Sequence, residues 1–340
     1  MGHTPGSPKH RNWQRGVSKA VSGPVFVSVV TPVYNGGAFL EECIESVRAQ
    51  SHAHFEHVIL DNASSDDTHA IAARHAGRDP RIRLHRNDRT LPMIDNWNRA
   101  LELMSGDSRY CRVLHADDTM RPNCLERTVE VAERHPSVGI VGCFRLRGET
   151  IHCEGLPRER EVFAGAEIAR LFLRQEVFAL APTSNLLRAD LVRRHRPFYP
   201  SAYLHADLAI YLDLLQDHDF GFVHDVLAFS REHGDSVTVT VAERNQTLLK
   251  EWLLLLQRYG PRFFSESEMT ELERSHLRRY YRNLVRGFVT RRGRAFFDYH
   301  LAGLKEAGRL PTPLDLLGAA GREFAAAVAR PGKLRRHLGM

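Results

Sequence analysis

Long apolar runs are missing from this chain: no stretch approaches the roughly 20 residues that cross a bilayer. The first 24 residues are polar and rich in Gly, Pro and Ser, so they read as a disordered basic arm and not as a signal peptide. Cysteine is scarce, with five in 340 residues. Cys43, Cys111, Cys124, Cys143 and Cys153 show no Cys-x-x-Cys spacing, and an odd number cannot all pair within one chain. Both facts argue against zinc ribbons and disulfide frameworks and for a reducing cytoplasm. No zinc-finger spacing and no aromatic-rich RNA-binding strand is present, so no nucleic-acid partner is expected. A Gly-rich phosphate loop is also lacking, because Gly36-Gly37 has no following basic residue. No internal repeat is visible.

What is present is the composition of an ordinary globular protein, long enough for one large or two modest domains. The net charge of +6 is modest, but basic residues gather in the N-terminal arm, from Arg278-Arg279 to Arg294, and from Lys333 to Arg336. Such clusters read as solvated helix faces, or as attractors of nucleotide phosphates or of an anionic membrane touched peripherally. From Phe26 onward, strand and helix patterns alternate. Strands are expected at 27–31, 57–60, 81–85, 110–114 and 138–142, with helices at 37–50, 92–104 and 122–134 and one capped by Ser65 or Asp66 that runs to about His75. This order implies a mostly parallel sheet covered by helices, with ligands beyond the carboxyl ends of its strands. A charged loop at 145–161 leads to a second half with apolar segments at 168–173, 206–215 and 220–230. After about Glu243 the pattern is helical, and Leu248, Leu249, Trp252, Leu253 and Leu256 form a stripe that suits a core or a dimer face. Pro311-Thr312-Pro313 breaks this helical tail before a last amphipathic segment.

Three of the expected strands end in polar groups: Thr31-Pro32-Val33-Tyr34-Asn35, then Asp61 with Ser64, Asp67 and Thr68, then His115-Ala116-Asp117-Asp118. Pro32 fixes its own φ and biases Thr31 toward an extended shape, which reads as a sharp turn after the first strand. Together and in order these motifs resemble the inverting family 2 glycosyltransferases of GT-A fold, over most of residues 26–240. The resemblance implies an α/β GT-A domain at 25–241, with a nucleotide-sugar half at 25–144 and an acceptor half at 145–241. The arm at 1–24 precedes it and a helical extension at 242–340 follows.

The same resemblance assigns roles. Thr31, Pro32, Val33 and Tyr34 would line the nucleotide base pocket, and Asp61 would accept a hydrogen bond from the base's ring N–H. Asp118 would bind Mg²⁺ or Mn²⁺, with Asp117 on the ribose or supporting the metal through water. His115 stands where many relatives have a third carboxylate, so the Asp-x-Asp spelling is absent. Asp207, which opens a helix, matches the family's catalytic base, although Ala206 replaces a glutamate beside it. The helix dipole there favours an anion, and an ordinary carboxylate pKa suffices. His205 either shares in positioning the acceptor or is a surface histidine. Arg231 would balance phosphate charge, and His233 would complete the metal site or touch the diphosphate.

The function implied is transfer of a sugar from a UDP- or dTDP-sugar by a single inverting displacement. The acceptor would be a small molecule, a glycan or a peptide, and a processive synthase is disfavoured by the lack of a span. A nucleotidyltransferase is the first rival, but it would need the missing phosphate loop. A degenerate sugar-nucleotide-binding protein is the second, and retention of Asp61, Asp118 and Asp207 argues against it. The location expected is the cytoplasm, with peripheral membrane contact and a homodimer through the C-terminal helices as further expectations.

Overall fold

The computed structural model describes residues 25–232 and 245–329. The N-terminal arm, His233 and the cluster from Lys333 to Arg336 lie outside them. The chain begins with β1 (Val27–Val33), α1 (Leu40–Arg48), β2 (Phe55–Asp61), α2 (Thr68–Ala76), β3 (Ile82–Arg86), α3 (Met93–Glu102) and β4 (Tyr110–Val113). It continues through β5 (Thr119–Met120), α4 (Cys124–Arg134), β6 (Val138–Arg147), β7 (Thr150–His152), β8 (Val162–Phe163) and α5 (Gly165–Leu173). A 3-10 turn at Pro182–Ser184 precedes β9 (Leu186–Arg188), α6 (Ala189–Arg194), α7 (Ala206–Leu214) and β10 (Asp219–Ser230). Four helices follow: α8 (Leu248–Tyr259), α9 (Glu266–Val289), α10 (Arg294–Glu306) and α11 (Pro313–Ala329).

The strands form one sheet in the order β3-β2-β1-β4-β9-β6-β10-β5, with β7 and β8 paired at its side. β1, β2, β3 and β4 are mutually parallel; β9 runs against β4 and β6, and β10 is parallel to β6. The carboxyl ends of β1, β2, β4, β6 and β10 therefore meet at one edge. Every residue of β1, β2 and β4 is buried, as happens in strands that helices cover on both faces.

Two expectations need correction. The turn expected at Thr31 does not occur there, since β1 continues in register to Val33, opposite Asp61. The Val33 carbonyl faces β2, where it accepts from the Asn62 amide. Pro32 by alternation faces β4, where the Leu114 amide still donates to the Val30 carbonyl at 3.0 Å; Pro32 has no N–H for the next rung, and pairing with β4 ends there while pairing with β2 goes on. The chain turns at Asn35, with φ of 49°, and at Gly36, where an added Cβ would sit 2.6 Å from Val33 Cγ2. The loop expected at 145–161 is in part strand. β6 runs to Arg147 beside β10 and folds back as β7 through Gly148, whose φ is +57°.

The apolar stripe of α8 faces inward. Trp252, Leu253, Leu255 and Leu256 are buried while Leu248 is exposed, and the Trp252 indole N–H donates to the Leu173 carbonyl at 3.1 Å. α8 thus belongs to the core of the second half, and α9, α10 and α11 close a smaller cluster around Tyr280, Tyr281 and Phe296.

On the first half, buried Asp79 ties α1 to the start of β3. Its carboxylate accepts from Arg81 Nε at 3.0 Å, Arg81 Nη2 at 2.8 Å and Arg48 Nε at 3.3 Å. Hydrogen bonds from the Arg81 side chain hold its pKa well below the usual carboxylate range. A depressed folded-state pKa gives stability that is present above the unfolded pKa and lost as pH falls through the folded one. Asp79→Asn should cost about 1–3 kcal/mol in urea unfolding at neutral pH. The gap to wild type should narrow below about pH 4. A gap that persists in acid would rule out the charge as its source.

Candidate active site

The ends of β1 and β2 are cross-linked by the residues between them and α2. The Ser64 hydroxyl accepts from the Asn35 amide, the Thr68 hydroxyl from the Gly36 amide, and the Asp66 carboxylate from the Gly37 amide, each at 2.9 Å. Asp66 also accepts from the Thr68 amide at 3.1 Å, while Asp67 stands at the N-cap of α2. Asp61 closes β2 with no exposed surface. Its Oδ1 accepts from the Ser64 amide at 2.9 Å, and its Oδ2 faces His69 Nδ1 at 3.2 Å and Arg86 Nε at 3.4 Å. Thr31, Pro32 and Val33 are buried in the strand, and the Thr31 hydroxyl is bonded to His57 Nε2 at 2.9 Å. Burial pushes the His57 pKa down to about 3, so this imidazole stays neutral. Of the four residues expected to line a base pocket, Tyr34 alone presents its side chain to solvent.

Beyond β4 the Asp118 amide donates to the His115 carbonyl at 3.0 Å, and the tight turn gathers His115, Asp117 and Asp118. One ligand atom from each lies within 4.8 Å of the others. His115 Nε2 is buried without a hydrogen-bond partner among the described residues, and its ring packs against Trp97 with centroids 5.0 Å apart. A nitrogen and carboxylate oxygens at this spacing suit a divalent cation, so the residues present fit the metal expected. Asp118 is 5% exposed and already engaged: it accepts from the Thr183 hydroxyl, from the Ser230 hydroxyl at 3.2 Å and from the Arg231 amide at 3.2 Å. Burial raises its pKa and Asp117 adds to this, while His115, Thr183 and Arg145 work against it.

The Arg231 side chain is engaged with α1 and the residue that precedes it. Its guanidinium pairs with Glu42 and lies over the Phe39 ring, 5.0 Å from the centroid. The cation that acts on Asp118 is Arg145, near the end of β6, whose Nε is buried and unpartnered among the described residues. The sequence placed Arg145 in a loop and gave it no role. A cavity of about 340 Å³ lies elsewhere, between α4 and β10, and its Arg127, Arg134 and Arg160 are paired with Asp225, Glu161 and Glu167.

Asp207 approaches from the second half. It is the second residue of α7 and half-buried. Burial raises its pKa against the pull of His205 and His115, so desolvation outweighs the helix dipole that had suggested an ordinary carboxylate. His205 is no surface histidine: its Nε2 meets the Thr247 hydroxyl at 3.0 Å, and burial lowers its pKa. Trp97 of α3 bridges the two halves, with His115 on one side and the ring of buried Tyr199 5.5 Å away on the other. Asn98 fixes Tyr199 through its backbone amide at 2.7 Å and carbonyl at 2.8 Å.

The family model described as glycosyl transferase family 2 matches residues 28–196. Among curated relatives, TuaG of Bacillus subtilis (strain 168), named a putative teichuronic acid biosynthesis glycosyltransferase, is 36% identical over 139 residues, covering 41% of this chain and 52% of TuaG. The chain spans about half or less of the length of the curated relatives it matches at highest identity. Among solved structures, S. aureus TarS 1-349 in complex with UDP-GlcNAc superposes with a TM-score of 0.62 at 13% identity, covering 83% of this chain and 80% of that one. PcManGT, a mannosyltransferase from Pyrobaculum calidifontis in complex with GDP-Man and Mn²⁺, gives 0.54 at 17% identity, covering 91% and 82%. At such identities the likeness is one of fold, the GT-A arrangement expected from the sequence.

Because Asp118 receives three donors from two separate segments, its loss should be felt beyond any ligand. Asp118→Ala should lower unfolding stability by about 1–3 kcal/mol, the cost of leaving buried donors unpaired. A variant as stable as wild type in urea would show that these bonds hold nothing together.

Proposed function

We propose that this chain, which belongs to glycosyl transferase family 2, moves a sugar from a UDP- or dTDP-sugar to an acceptor hydroxyl, amine or thiol by one inverting displacement. The observation that carries this reading is the convergence at one sheet edge of Asp61, the His115, Asp117 and Asp118 trio, and Asp207. The donor half is 25–144, the acceptor half 145–241, and the helices of 242–340 extend the second. Asp61 offers a fully buried carboxylate oxygen to the ring N–H of the base, and Tyr34 borders it. Asp117 takes the ribose or supports the metal through water.

His115, Asp117 and Asp118 would hold a divalent cation, which when bound supplies positive charge to the leaving diphosphate. An imidazole in the set favours Mn²⁺ over Mg²⁺, because Mg²⁺ strongly prefers an all-oxygen shell. PcManGT was solved with Mn²⁺ and TarS with UDP-GlcNAc, which supports a nucleotide diphosphate donor here. Arg145 adds a second positive charge beside the cluster, in the role that Arg231 was expected to fill. Asp207, with its raised pKa, takes the acceptor proton as the new bond forms, and no covalent enzyme intermediate is needed. The name of TuaG favours a glycan acceptor. No helix among the described residues is long and apolar enough to cross a membrane, and we place the reaction in the cytoplasm or at its membrane surface.

UDP should raise the melting temperature with Mn²⁺ present and much less with chelator, since ligand bound to the native state stabilises it by mass action. Equal shifts in both conditions would overturn the metal assignment. His115→Asp should move the ion preference toward Mg²⁺ in the same assay. Asp207→Asn should lower kcat by roughly 10²–10⁴-fold and leave the Kd for UDP nearly unchanged. The wild-type rate should fall on the acid side with a midpoint above the value of about 4 typical of a carboxylate. Loss of UDP binding in Asp207→Asn would instead assign this residue to the donor or the metal.

A further inference from the structure

The helices that close the C-terminal cluster carry their apolar residues on the wrong side for a core. In α11, Ala319 is buried and Glu323 is held by Arg282 and Arg286 of α9, which fixes the inward face. Leu314, Leu317 and Phe324 recur at helical spacing on the opposite face and are 79%, 68% and 74% exposed. Phe288 and Val289, which end α9, are 78% and 67% exposed. The pairing of Glu323 with Arg286 brings the last turns of α11 beside those of α9, so Phe324 lies at the same end as Phe288 and Val289. Large apolar side chains grouped in this way mark an interaction surface.

Basic residues outnumber acidic ones around this surface. Residues 274–297 hold eight arginines and no acidic residue, and Arg286, Arg291 and Arg294 among them are exposed. The acids nearby are already paired: Glu273 with Arg309, Asp298 with Arg294, and Asp315 with the Thr312 hydroxyl and amide. We propose that this outward face of α9 and α11 docks on an anionic lipid bilayer. Leu314, Leu317, Phe324 and Phe288 enter the boundary between headgroups and acyl chains, and the arginines meet the lipid phosphates. A second copy of the chain fits less well, because a two-fold contact would set the same arginine-rich segments against one another.

Docking here would also orient the reaction. The bundle is fastened to the acceptor half by Trp252 on Leu173, by Arg170 on Glu268 at 2.7 Å, and by Thr247 on His205 next to Asp207. If the transferase reading holds, Asp207 keeps a fixed relation to the bilayer, which suits an acceptor anchored in lipid.

The test is co-sedimentation of the full chain, without donor, with vesicles of phosphatidylcholine alone or mixed with phosphatidylglycerol. Binding is expected to the mixed vesicles only, and weaker at about 0.5 M than at about 0.1 M salt. Leu314→Ser, Leu317→Ser and Phe324→Ser combined should lower it by about tenfold or more. Arg291→Glu with Arg294→Glu should abolish the preference for anionic lipid. All five positions are exposed, so melting temperature and UDP binding should stay as in wild type. Failure of the wild type to bind mixed vesicles, or binding untouched by the triple variant, would overturn the proposal. So would a wild-type dimer in light scattering that the triple variant converts to monomer without change in vesicle binding. None of these outcomes bears on donor binding, which the UDP assay reads separately.

Discussion

Asp118 stands just after β4, yet two of its three donors, the Ser230 hydroxyl and the Arg231 amide, come from the end of β10, and the third, the Thr183 hydroxyl, from the turn at Pro182–Ser184. That turn is itself held from below. Fully buried Arg112 donates through Nε to the Thr183 carbonyl at 3.2 Å, and the Cys143 thiol donates to the Ser184 carbonyl at 3.3 Å. One carboxylate thus fastens the first half of the chain to the second at the place where the strands run out. Its surroundings fix its orientation before any ligand arrives, which is what a site needs if binding is not to be spent on ordering side chains.

This arrangement has a cost for the acids themselves. Asp118 and Asp207 are both raised by burial, and each is relieved in part by His115. Two acids that desolvation disfavours are kept within reach of one imidazole. Such strain clusters where chemistry is done, and it would be a poor choice for stability alone.

Local pattern made much of the fold legible. The β-branched runs announced the strands, and Asp61, Asp118 and Asp207, singled out by the family resemblance, do stand after a strand or at the head of a helix. What pattern could not supply were contacts between distant segments. Thr183 reaches Asp118 across 65 positions, and Trp97 meets Tyr199 across the two halves. Arg145 looked like loop because the turn that makes it strand depends on Gly148 and on pairing with β10. Pro32 suggested a turn because its missing donor ends the pairing with β4, but on the other side β1 keeps its register with β2 to Val33. The dipole argument for Asp207 failed for a similar reason, since sequence gives the helix and not the depth at which it is buried.

The stacking of Trp97 on His115 has a practical consequence. The chain has three tryptophans: Trp13 in the arm, Trp252 in the core of the second half, and Trp97 in ring contact with a candidate ligand of the cation. An indole's emission responds to the charge and polarity of what it touches, so the molecule carries its own optical gauge of the cluster. A change in the emission of Trp97 on adding a cation or a nucleotide would report on a place beside His115, without any dye attached.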